Sequence, residues 1–517
     1  MPNLRPSAPA LLLLAALAAN TVAAQAPAPS PERIKNHITA LASDEFEGRA
    51  PGTAGEEKTV AYLEKQFRAM DLQPGNPDGT YLQNTPLVGI TSKATAAFTV
   101  GREKIEFTPV TEYTVASRHL KPQIDARDTD VVFVGYGIVA PEYQWDDYKG
   151  VDVRGKTVVM LINDPQVTDN VGRLDDKVFR GRAMTYYGRW TYKYEIASAK
   201  GAAACIILHE TGPAGYPFAV LGGTHGRENF DLATPDRNAS RVPFEGWVTH
   251  TAFERLLKAA GAPDYAALKA AATKRDFKPL ALKAKGSFTA ANTFRDLASK
   301  NVIAKLPGSD PKLRDEYVIY TAHWDHLGRD PKLSGDAIRN GALDNASGTA
   351  MILEAAQTFA ALPPAQRPKR SLLFLLVTAE EYGLLGARHY ATSPLYPLAK
   401  TLANINIDGG QIKGRSKDLE VIGHGNSTID DLAASYLKKS NRILVPDTEP
   451  EKGYFYRSDH FEFAKEGVPA FYPKAGKEIL GQPAGYGKQR EDEYRTKDYH
   501  SVTDEVKPWW TYDGAAE

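Results

Sequence analysis

The chain has 517 residues, and its 63 lysine and arginine residues are matched by 63 aspartate and glutamate residues. This length exceeds what one ordinary hydrophobic core can organise, so we expect more than one domain. The even balance of charge gives no electrostatic reason to expect binding to nucleic acid or to an anionic membrane. Cys205 is the only cysteine, which excludes an intramolecular disulfide and metal sites built from several thiolates.

Residues 1–24 have the pattern of an export signal. Arg5 precedes an apolar run over residues 8–19, and residues 22–24 are small residues that suit cleavage before Gln25. This run is too short to span a bilayer comfortably, and no later stretch approaches roughly 20 apolar residues. We therefore expect a signal peptide at residues 1–24 and a periplasmic or secreted mature protein that is not held in a membrane.

The rest of the chain divides into an interrupted α/β part and an insert. Residues 31–70 have the apolar spacing of two helices around a loop, whose charged residues, Arg49 among them, we interpret as parts of capped turns. Short β-like runs with glycine and proline between them follow up to about residue 285. From Asn301 strand and helix patterns alternate again. We predict an α/β domain from residues 31–90 and 290–517, interrupted by a β-rich insert over residues 91–285.

Three predicted strands of the α/β part end on a possible metal ligand. His323 follows YVIYTA, Glu380 and Glu381 follow the apolar run LLFLLV and the residues TA, and Asp408 follows ANINI. Parallel strands bring their carboxyl ends to one edge of a sheet, so these side chains are expected to lie together. Because adjacent residues point in different directions, Glu380 and Glu381 can divide two tasks, one binding a cation and the other carrying a proton.

Two further candidates lie outside the strands. Asp344 opens the predicted helix that begins in DNASG, where it can serve as an N-cap or bridge two cations with its two oxygens. His500 lies in DYHSVTDE near the C-terminus. A set of histidine and carboxylate ligands suits Zn²⁺, with Co²⁺ or Mn²⁺ as substitutes. Five such ligands fit two zinc ions roughly 3.5–4 Å apart that share a hydroxide and polarise a carbonyl group.

These motifs, in their order along the chain, resemble those of the M28 family of zinc metallopeptidases. The resemblance covers LASDEFEGRAPGTAGEEKTVAYLEKQF near the N-terminus and then TAHWDHLG, DNASG, AEEYGLLGA, NIDGG and YHSVTDE. It implies a mixed, mostly parallel sheet flanked by helices. Within the insert, VFVGYGIVAPEYQWDDYKGVDVRGKTVVMLINDP and EIASAKGAAACIILHE resemble the protease-associated domain found in some members of the family.

The resemblance implies a division of the ligands between two zinc ions. His323, Asp344 and Asp408 would hold one ion. Asp344, Glu381 and His500 would hold the other, with Asp344 as the bridge.

The same resemblance implies roles for residues that do not bind metal. Glu380 would be the general base, and Asp325 would fix the imidazole of His323. Tyr456, in YFYRSDHFEF, is the candidate for holding the tetrahedral oxyanion. His326 is an alternative to His323 as ligand.

The expected activity is that of an exported zinc aminopeptidase that removes N-terminal residues from peptides. A carboxypeptidase or dipeptidase of the same family, and a glutaminyl cyclase with one zinc, are alternatives within the enzyme class. A receptor-like binding protein that has lost catalysis is the alternative outside it. The complete ligand set argues against that alternative, because a binding module has no physical need for both a bridging acid and a free glutamate.

Overall fold

The computed structural model describes residues 27–169 and 171–517, so the predicted signal peptide at residues 1–24 lies outside the described residues. The helices are α1 Pro31–Leu41, α2 Ala54–Ala69, α3 Trp190–Ala199, α4 Thr211–Ala214, α5 Phe218–Thr224, α6 His250–Ala260, α7 Tyr265–Ala272, α8 Ser347–Ala360, α9 Leu385–Thr392, α10 Ile429–Lys439, α11 His460–Lys465, α12 Tyr486–Lys497 and α13 Asp513–Ala516. The strands are β1 Gln73–Pro74, β2 Leu82–Val100, β3 Glu103–Ile105, β4 Tyr113–Ala116, β5 Gln123–Phe133, β6 Val139–Ala140, β7 Trp145–Asp146, β8 Thr157–Leu161, β9 Ala204–His209, β10 Glu228–Leu232, β11 Phe244–Thr249, β12 Leu280–Leu306, β13 Tyr317–His323, β14 Gly328–Arg329, β15 Ile338–Arg339, β16 Ser371–Val377, β17 Thr401–Asn406, β18 Asp418–Ile422, β19 Ile443–Pro446 and β20 Ala470–Lys474.

The α/β part is built on neighbouring strands in the order β19-β18-β20-β17-β13-β16-β12. β13 pairs in parallel with both β16 and β17, and β17 pairs in parallel with β20. β18 and β19 are also parallel, whereas β12 is antiparallel to β16 and β18 is antiparallel to β20. The predicted fold class, a mixed and mostly parallel sheet, is confirmed for this part of the chain.

Helices cover both faces of this sheet. Alternate residues of β16, such as Phe374, pack into a core shared with α1, α2 and α8. The residues between them, such as Leu375, pack into a second core shared with α9 and α11. This is why β16 is apolar along its whole length, as expected for a parallel strand that is buried on both faces.

The insert continues the same sheet. Its strands β5, β8, β9 and β11 are parallel neighbours, and β4 closes the edge in antiparallel orientation. β12 pairs with β5 in the insert and with β16 in the α/β part, while β2 runs antiparallel beside it. The proposed boundaries near residues 90 and 285 therefore fall within two long strands. The division into domains stays a prediction.

The helices α8 and α9 each begin a few residues after the nearest ligand candidate, so α8 begins within DNASG as predicted but Asp344 does not open it. α8 begins at Ser347, and Asp344 lies in the preceding turn with φ −113° and ψ 92°. The backbone N–H of Asp344 donates a hydrogen bond to the Asp504 carboxylate, which contributes to holding this turn. α9 begins at Leu385, because Leu384 has a left-handed conformation with φ 61°. Within the two described ranges, no helix combines the length and apolar character needed to cross a bilayer.

Candidate active site

The ligand candidates lie at the carboxyl edge of the central parallel strands. His323 is the last residue of β13, and Glu380 and Glu381 follow the end of β16 at Val377. Asp408 lies just beyond β17. Because His323 pairs with Val377 in parallel register, β13 and β16 end at the same level. The predicted convergence of three strand ends on one place is present.

Asp344 lies at the centre of the cluster and faces both histidines. Its Oδ1 is 3.3 Å from His323 Nε2, and its Oδ2 is 3.3 Å from His500 Nε2. His500 Nε2 also lies 3.0 Å from Glu381 Oε2. The two oxygens of one carboxylate therefore point to two different imidazoles, which is the arrangement that a ligand bridging two cations requires.

The spacing of these atoms fits zinc. Tetrahedral zinc with bonds of 2.0–2.2 Å to nitrogen and oxygen separates its ligand atoms by about 3.3–3.6 Å. His323 Nε2 and Glu381 Oε1 are buried and lack a hydrogen bond of good geometry. Burial disfavours the charged form of His500, but the carboxylates of Glu381 and Asp344 outweigh it and raise its pKa to about 10. The cluster thus carries an excess of negative charge that a cation would neutralise.

Asp408 and Glu380 complete the environment of His323. Asp408 Oδ1 is 3.6 Å from His323 Nε2, and Glu380 Oε2 is 3.9 Å from the same nitrogen. Among the described residues, His323 forms candidate metal-binding groups both with Glu380 and Asp408 and with Asp344 and Glu381. Distance alone therefore permits Glu380 as a ligand. The Asp344 oxygen lies closer to the imidazole than that of Glu380, at 3.3 Å against 3.9 Å, which favours Asp344 as the ligand beside His323.

The surroundings of Glu380 suit a proton carrier. Burial raises the pKa of Glu380 well above its usual range; His323 opposes this effect, and the negative charges of Asp459 and Glu381 add to it. Asp459 itself is fully buried, and neither of its carboxylate oxygens has a hydrogen-bond partner. A carboxyl group with a raised pKa holds a proton more readily near neutral pH than an ordinary glutamate.

Asp325 lies behind His323, on the side away from the cluster centre. His323 Nδ1 is 3.2 Å from the Asp325 carbonyl oxygen and 3.8 Å from its Oδ1. Asp325 Oδ1 also accepts a 3.1 Å hydrogen bond from the Glu380 backbone N–H. Burial raises the pKa of Asp325 to about 7. This position matches the orienting role implied by the resemblance, and the role itself stays a prediction.

Asp504 supports the turn that carries Asp344, and it was not predicted from the sequence. Its carboxylate accepts hydrogen bonds from the backbone N–H groups of Leu343 at 3.0 Å and Asp344 at 3.1 Å. Asp504 follows His500 in the motif YHSVTDE, where only the histidine was considered. Its position four residues after His500 was the signal that could have identified it.

His326 lies beside Glu381 and not beside the Asp344 oxygen that faces His323. Its Nδ1 is 2.6 Å from Glu381 Oε1, and its ring centre is 5.8 Å from that of His500. The geometry therefore places His326 next to Glu381, and it does not favour His326 as a substitute for His323.

Tyr456 lies at the edge of the site towards the insert. Its ring is 5.1 Å from that of Phe461 and 6.0 Å from that of Tyr186. Burial raises the pKa of Tyr456, and the charged groups that act on it most strongly are Arg180 and Asp164 of the insert. Its predicted role with an oxyanion stays a prediction.

Two other tyrosines are closer to the cluster. Tyr472 donates a 3.2 Å hydrogen bond to Asp408 Oδ2, and the ring of Tyr499 stacks on His500 at 3.8 Å. Neither was singled out from the sequence, because isolated tyrosines carry no spacing signal.

The cluster opens into a cavity of about 1660 Å³ that the insert helps to enclose. Glu380, Glu381 and His500 line one side, and Arg189 and Trp190 of the insert line the other. A cavity of this size, with convergent polar groups at one end, suits a ligand as large as a peptide.

Comparison with known proteins gives a family for the C-terminal part. Residues 301–515 match the sequence model of Peptidase family M28. A probable zinc metalloprotease of Pyrenophora teres f. teres (strain 0-1) is 37% identical over 108 residues, which are 21% of this chain and 22% of that protein. Leupeptin-inactivating enzyme 1 of Streptomyces exfoliatus is 30% identical over 191 residues, which are 36% of this chain and 39% of that protein. Among solved structures, an aminopeptidase from Aneurinibacillus sp. strain AM-1 aligns with a TM-score of 0.48 and 21% identity, covering 93% of this chain and 95% of that chain.

Proposed function

We propose that the protein is an exported di-zinc metallopeptidase that acts as an aminopeptidase, on the basis that residues 301–515 match the sequence model of Peptidase family M28. The observation that carries the proposal is the position of Asp344, whose two oxygens each lie 3.3 Å from the imidazole of a different histidine. A mononuclear site has no need for this arrangement.

Five residues would hold the two ions. His323 and Asp408 would bind one ion, Glu381 and His500 the other, and Asp344 both. When bound, such a pair lowers the pKa of water and polarises a carbonyl oxygen.

The other residues of the site handle protons and orientation. Glu380, with its raised pKa, would accept a proton from the attacking water and return it to the departing amine. Asp325 would hold His323 in one orientation through Nδ1. Tyr472 lies within hydrogen-bonding distance of Asp408 and would limit the movement of that carboxylate.

Three further elements of the proposal concern the rest of the chain. The pattern of residues 1–24 supports export to the periplasm or secretion. The insert over residues 91–285 would be a protease-associated domain that shapes access to the cavity. Peptides would be the substrates, since the chain is similar over part of its length to a probable zinc metalloprotease and to a probable leucine aminopeptidase.

An assay of the zinc-loaded protein on three forms of one peptide tests the activity. We expect cleavage of the free peptide, no cleavage after N-terminal acetylation, and detectable cleavage after C-terminal amidation. Loss of cleavage on amidation but not on acetylation would instead indicate a carboxypeptidase. No cleavage of any form by protein that holds both ions would contradict the proposal.

A further inference from the structure

Two arginines that line the cavity lack a carboxylate partner. Arg189 lies just before α3 in the insert, and Arg457 lies before α11 in the α/β part. Within residues 27–169 and 171–517, neither guanidinium forms an ion pair, and the Nε of each is buried without a hydrogen-bond partner. Other arginines of the same cavity are paired. They include Arg118 with Glu245, Arg339 with Asp330 and Arg495 with Glu491.

Arg457 is held in place by neutral groups only. Its Nη2 donates a 3.0 Å hydrogen bond to the carbonyl oxygen of Ala214, and its guanidinium lies 5.9 Å from the ring centre of Tyr216. A side chain at Gly215 would collide with it, because a Cβ there would lie 2.9 Å from the Arg457 Nη2. The insert therefore fixes the position of the Arg457 guanidinium and leaves most of its five N–H donors available to a ligand.

The two cations act on each other. Burial, and after it the charge of Arg457, lowers the pKa of Arg189 to about 9, while Tyr216 and Tyr186 oppose the shift only in part. Burial likewise lowers the pKa of Arg457. Arginines are rarely buried without an anion, since desolvation and like charge both cost free energy. An anion between the two would relieve both costs.

This pair lies close to the metal cluster. Tyr186, three residues before Arg189, lies with its ring 6.0 Å from that of Tyr456, the neighbour of Arg457, and both arginines line the cavity that Glu380 and His500 also line. An extended peptide advances about 3.5 Å per residue. The C-terminal carboxylate of a short peptide bound at the cluster would therefore lie in the same cavity as the arginines.

We propose that Arg189 and Arg457 together bind a carboxylate of the substrate, which makes short peptides with a free C-terminus the preferred substrate class. The choice of ligand rests on the proposed peptidase activity. Guanidinium groups bind carboxylates through paired, charge-assisted hydrogen bonds, and two of them facing one cavity suit a single planar anion. The insert thereby contributes to substrate selection through Arg189 and the seat of Arg457.

The first test compares three substrates of the zinc-loaded wild-type protein. These are leucyl-alanine, its C-terminal amide, and the C-terminal amide of leucyl-glutamate. We expect kcat/KM for leucyl-alanine to exceed that for its amide by about tenfold or more, the usual effect of hydrogen bonds to a charged group. A preference for the glutamate amide over the alanine amide would show that the pair also accepts an acidic side chain. Equal values for all three would overturn the proposal.

The second test changes the arginines. Arg189→Gln and Arg457→Gln should each bring the ratio of acid to amide towards one, mainly through KM, and Arg189→Lys should keep part of it. Arg495→Gln is the control, because that arginine lines the same cavity but already pairs with Glu491. Arg189→Gln should not lower the melting temperature, since it removes a half-buried cation whose Nε has no hydrogen-bond partner among the described residues. A lower melting temperature with an unchanged ratio would assign Arg189 a structural role and overturn the proposal.

Failure of the two proposals can be told apart. Calorimetric titration of leucyl-alanine and its amide into the zinc-loaded Glu380→Gln variant, which should bind peptides but cleave them very slowly, measures binding with little turnover. Tighter binding of the acid that depends on Arg189, with no cleavage of any peptide, would reject the peptidase activity and keep the carboxylate site. Cleavage of the acid and the amide at equal rates would reject the carboxylate site and keep the peptidase activity.

Discussion

Arg49 donates a 2.9 Å hydrogen bond to the carbonyl oxygen of Gly341, three residues before the bridging candidate Asp344. The same guanidinium donates to the carbonyl oxygens of Leu41 at 2.6 Å and Trp324 at 2.8 Å. Arg49 is 1% exposed, so these bonds form away from water. One side chain near the N-terminus thus holds the chain segments on which the metal ligands are mounted.

Replacing Arg49 should weaken both the fold and the metal site. Arg49→Met keeps the apolar stem but leaves several buried carbonyl groups without a donor, at a cost of about 1–3 kcal/mol for each. We expect the free energy of unfolding, measured by urea denaturation, to fall by about 3 kcal/mol, and zinc affinity to fall with it. Arg68→Met is the control, because Arg68 is exposed on α2, where it pairs with Glu64 and lies over the ring of Tyr81. Equal stability of the two variants would contradict the role of Arg49 in holding these chain segments together.

The protein should bind two divalent ions per chain. Elemental analysis after gentle purification measures this number directly. Asp344→Ala should lose at least one ion and weaken the other, because the same carboxylate faces both His323 and His500. Asp431→Ala, a change on the outer helix α10, should keep both. One ion per chain with full peptidase activity would contradict the role of Asp344 as a ligand shared by two ions.

The strand-end ligands could be predicted because their signal is local. An apolar run such as β16 followed by two glutamates identifies a buried strand and the acids at its end, and parallel strands deliver their ends to one edge. His323, Glu380, Glu381 and Asp408 were found in this way.

What the sequence could not predict depends on contacts between distant segments. Arg49 is 292 residues from Gly341, and nothing near it in the chain shows that it reaches the ligand turn. The turn that holds Asp344 before α8 depends on Asp504, which lies 160 residues further on. Arg189 and Arg457 likewise belong to separate parts of the chain. Their lack of a carboxylate partner is visible only in three dimensions.

Trp190 should affect substrate binding without affecting the chemical step. It lines the cavity from the insert side, its ring centre is 5.9 Å from that of Tyr194, and it is not part of the candidate metal-binding groups found among the described residues. We expect Trp190→Ala to raise KM several-fold or change the preferred residue while kcat changes little. Steady-state kinetics with a panel of dipeptides provides the measurement.

Tyr187, three residues earlier, is the control for Trp190. Its hydroxyl donates a 2.6 Å hydrogen bond to Glu142 within the insert. Tyr187→Phe should therefore leave both kinetic constants near those of the wild type. If either change abolished turnover with fold and metal content intact, the insert would supply catalytic groups.

His460 should make the fold sensitive to acid. It is fully buried, and burial lowers its pKa to about 3, whereas an unfolded histidine has a pKa of about 6.5. Below pH about 6.5 the unfolded chain therefore takes up a proton that the folded chain takes up only near pH 3. The stability from this group is present above pH about 6.5 and is lost as the pH falls, by up to about 1.4 kcal/mol per pH unit.

His460→Phe should remove this part of the pH dependence. Phenylalanine preserves the packing against Tyr472, whose ring centre is 4.4 Å away. Urea denaturation of metal-free protein at pH 6 and pH 5 compares the variant with the wild type. His424→Gln, at an exposed position, should show the wild-type slope. Identical slopes for His460→Phe and the wild type would mean that His460 is protonated in the folded protein.

The final prediction separates Glu380 from Glu381, two adjacent and identical side chains with different proposed tasks. Glu381 has one oxygen 3.0 Å from His500 Nε2 and the other 2.6 Å from His326 Nδ1, so it is held at the metal cluster from both sides. Glu380 approaches His323 Nε2 only to 3.9 Å. Its environment also raises its pKa, which suits a group that must take up and release a proton.

Glu380→Gln keeps the size of the side chain and leaves the ligands unchanged. We expect it to retain both ions and its KM, while kcat falls by about 10²- to 10⁴-fold, the usual contribution of a positioned acid–base group. Glu381→Gln should lose one ion, and excess Zn²⁺ should restore part of its activity. Metal analysis and kinetics on the same preparations decide between the two residues. If Glu380→Gln loses metal while Glu381→Gln keeps both ions, the assignments are reversed, and Glu380 belongs with His323 and Asp408 as a ligand.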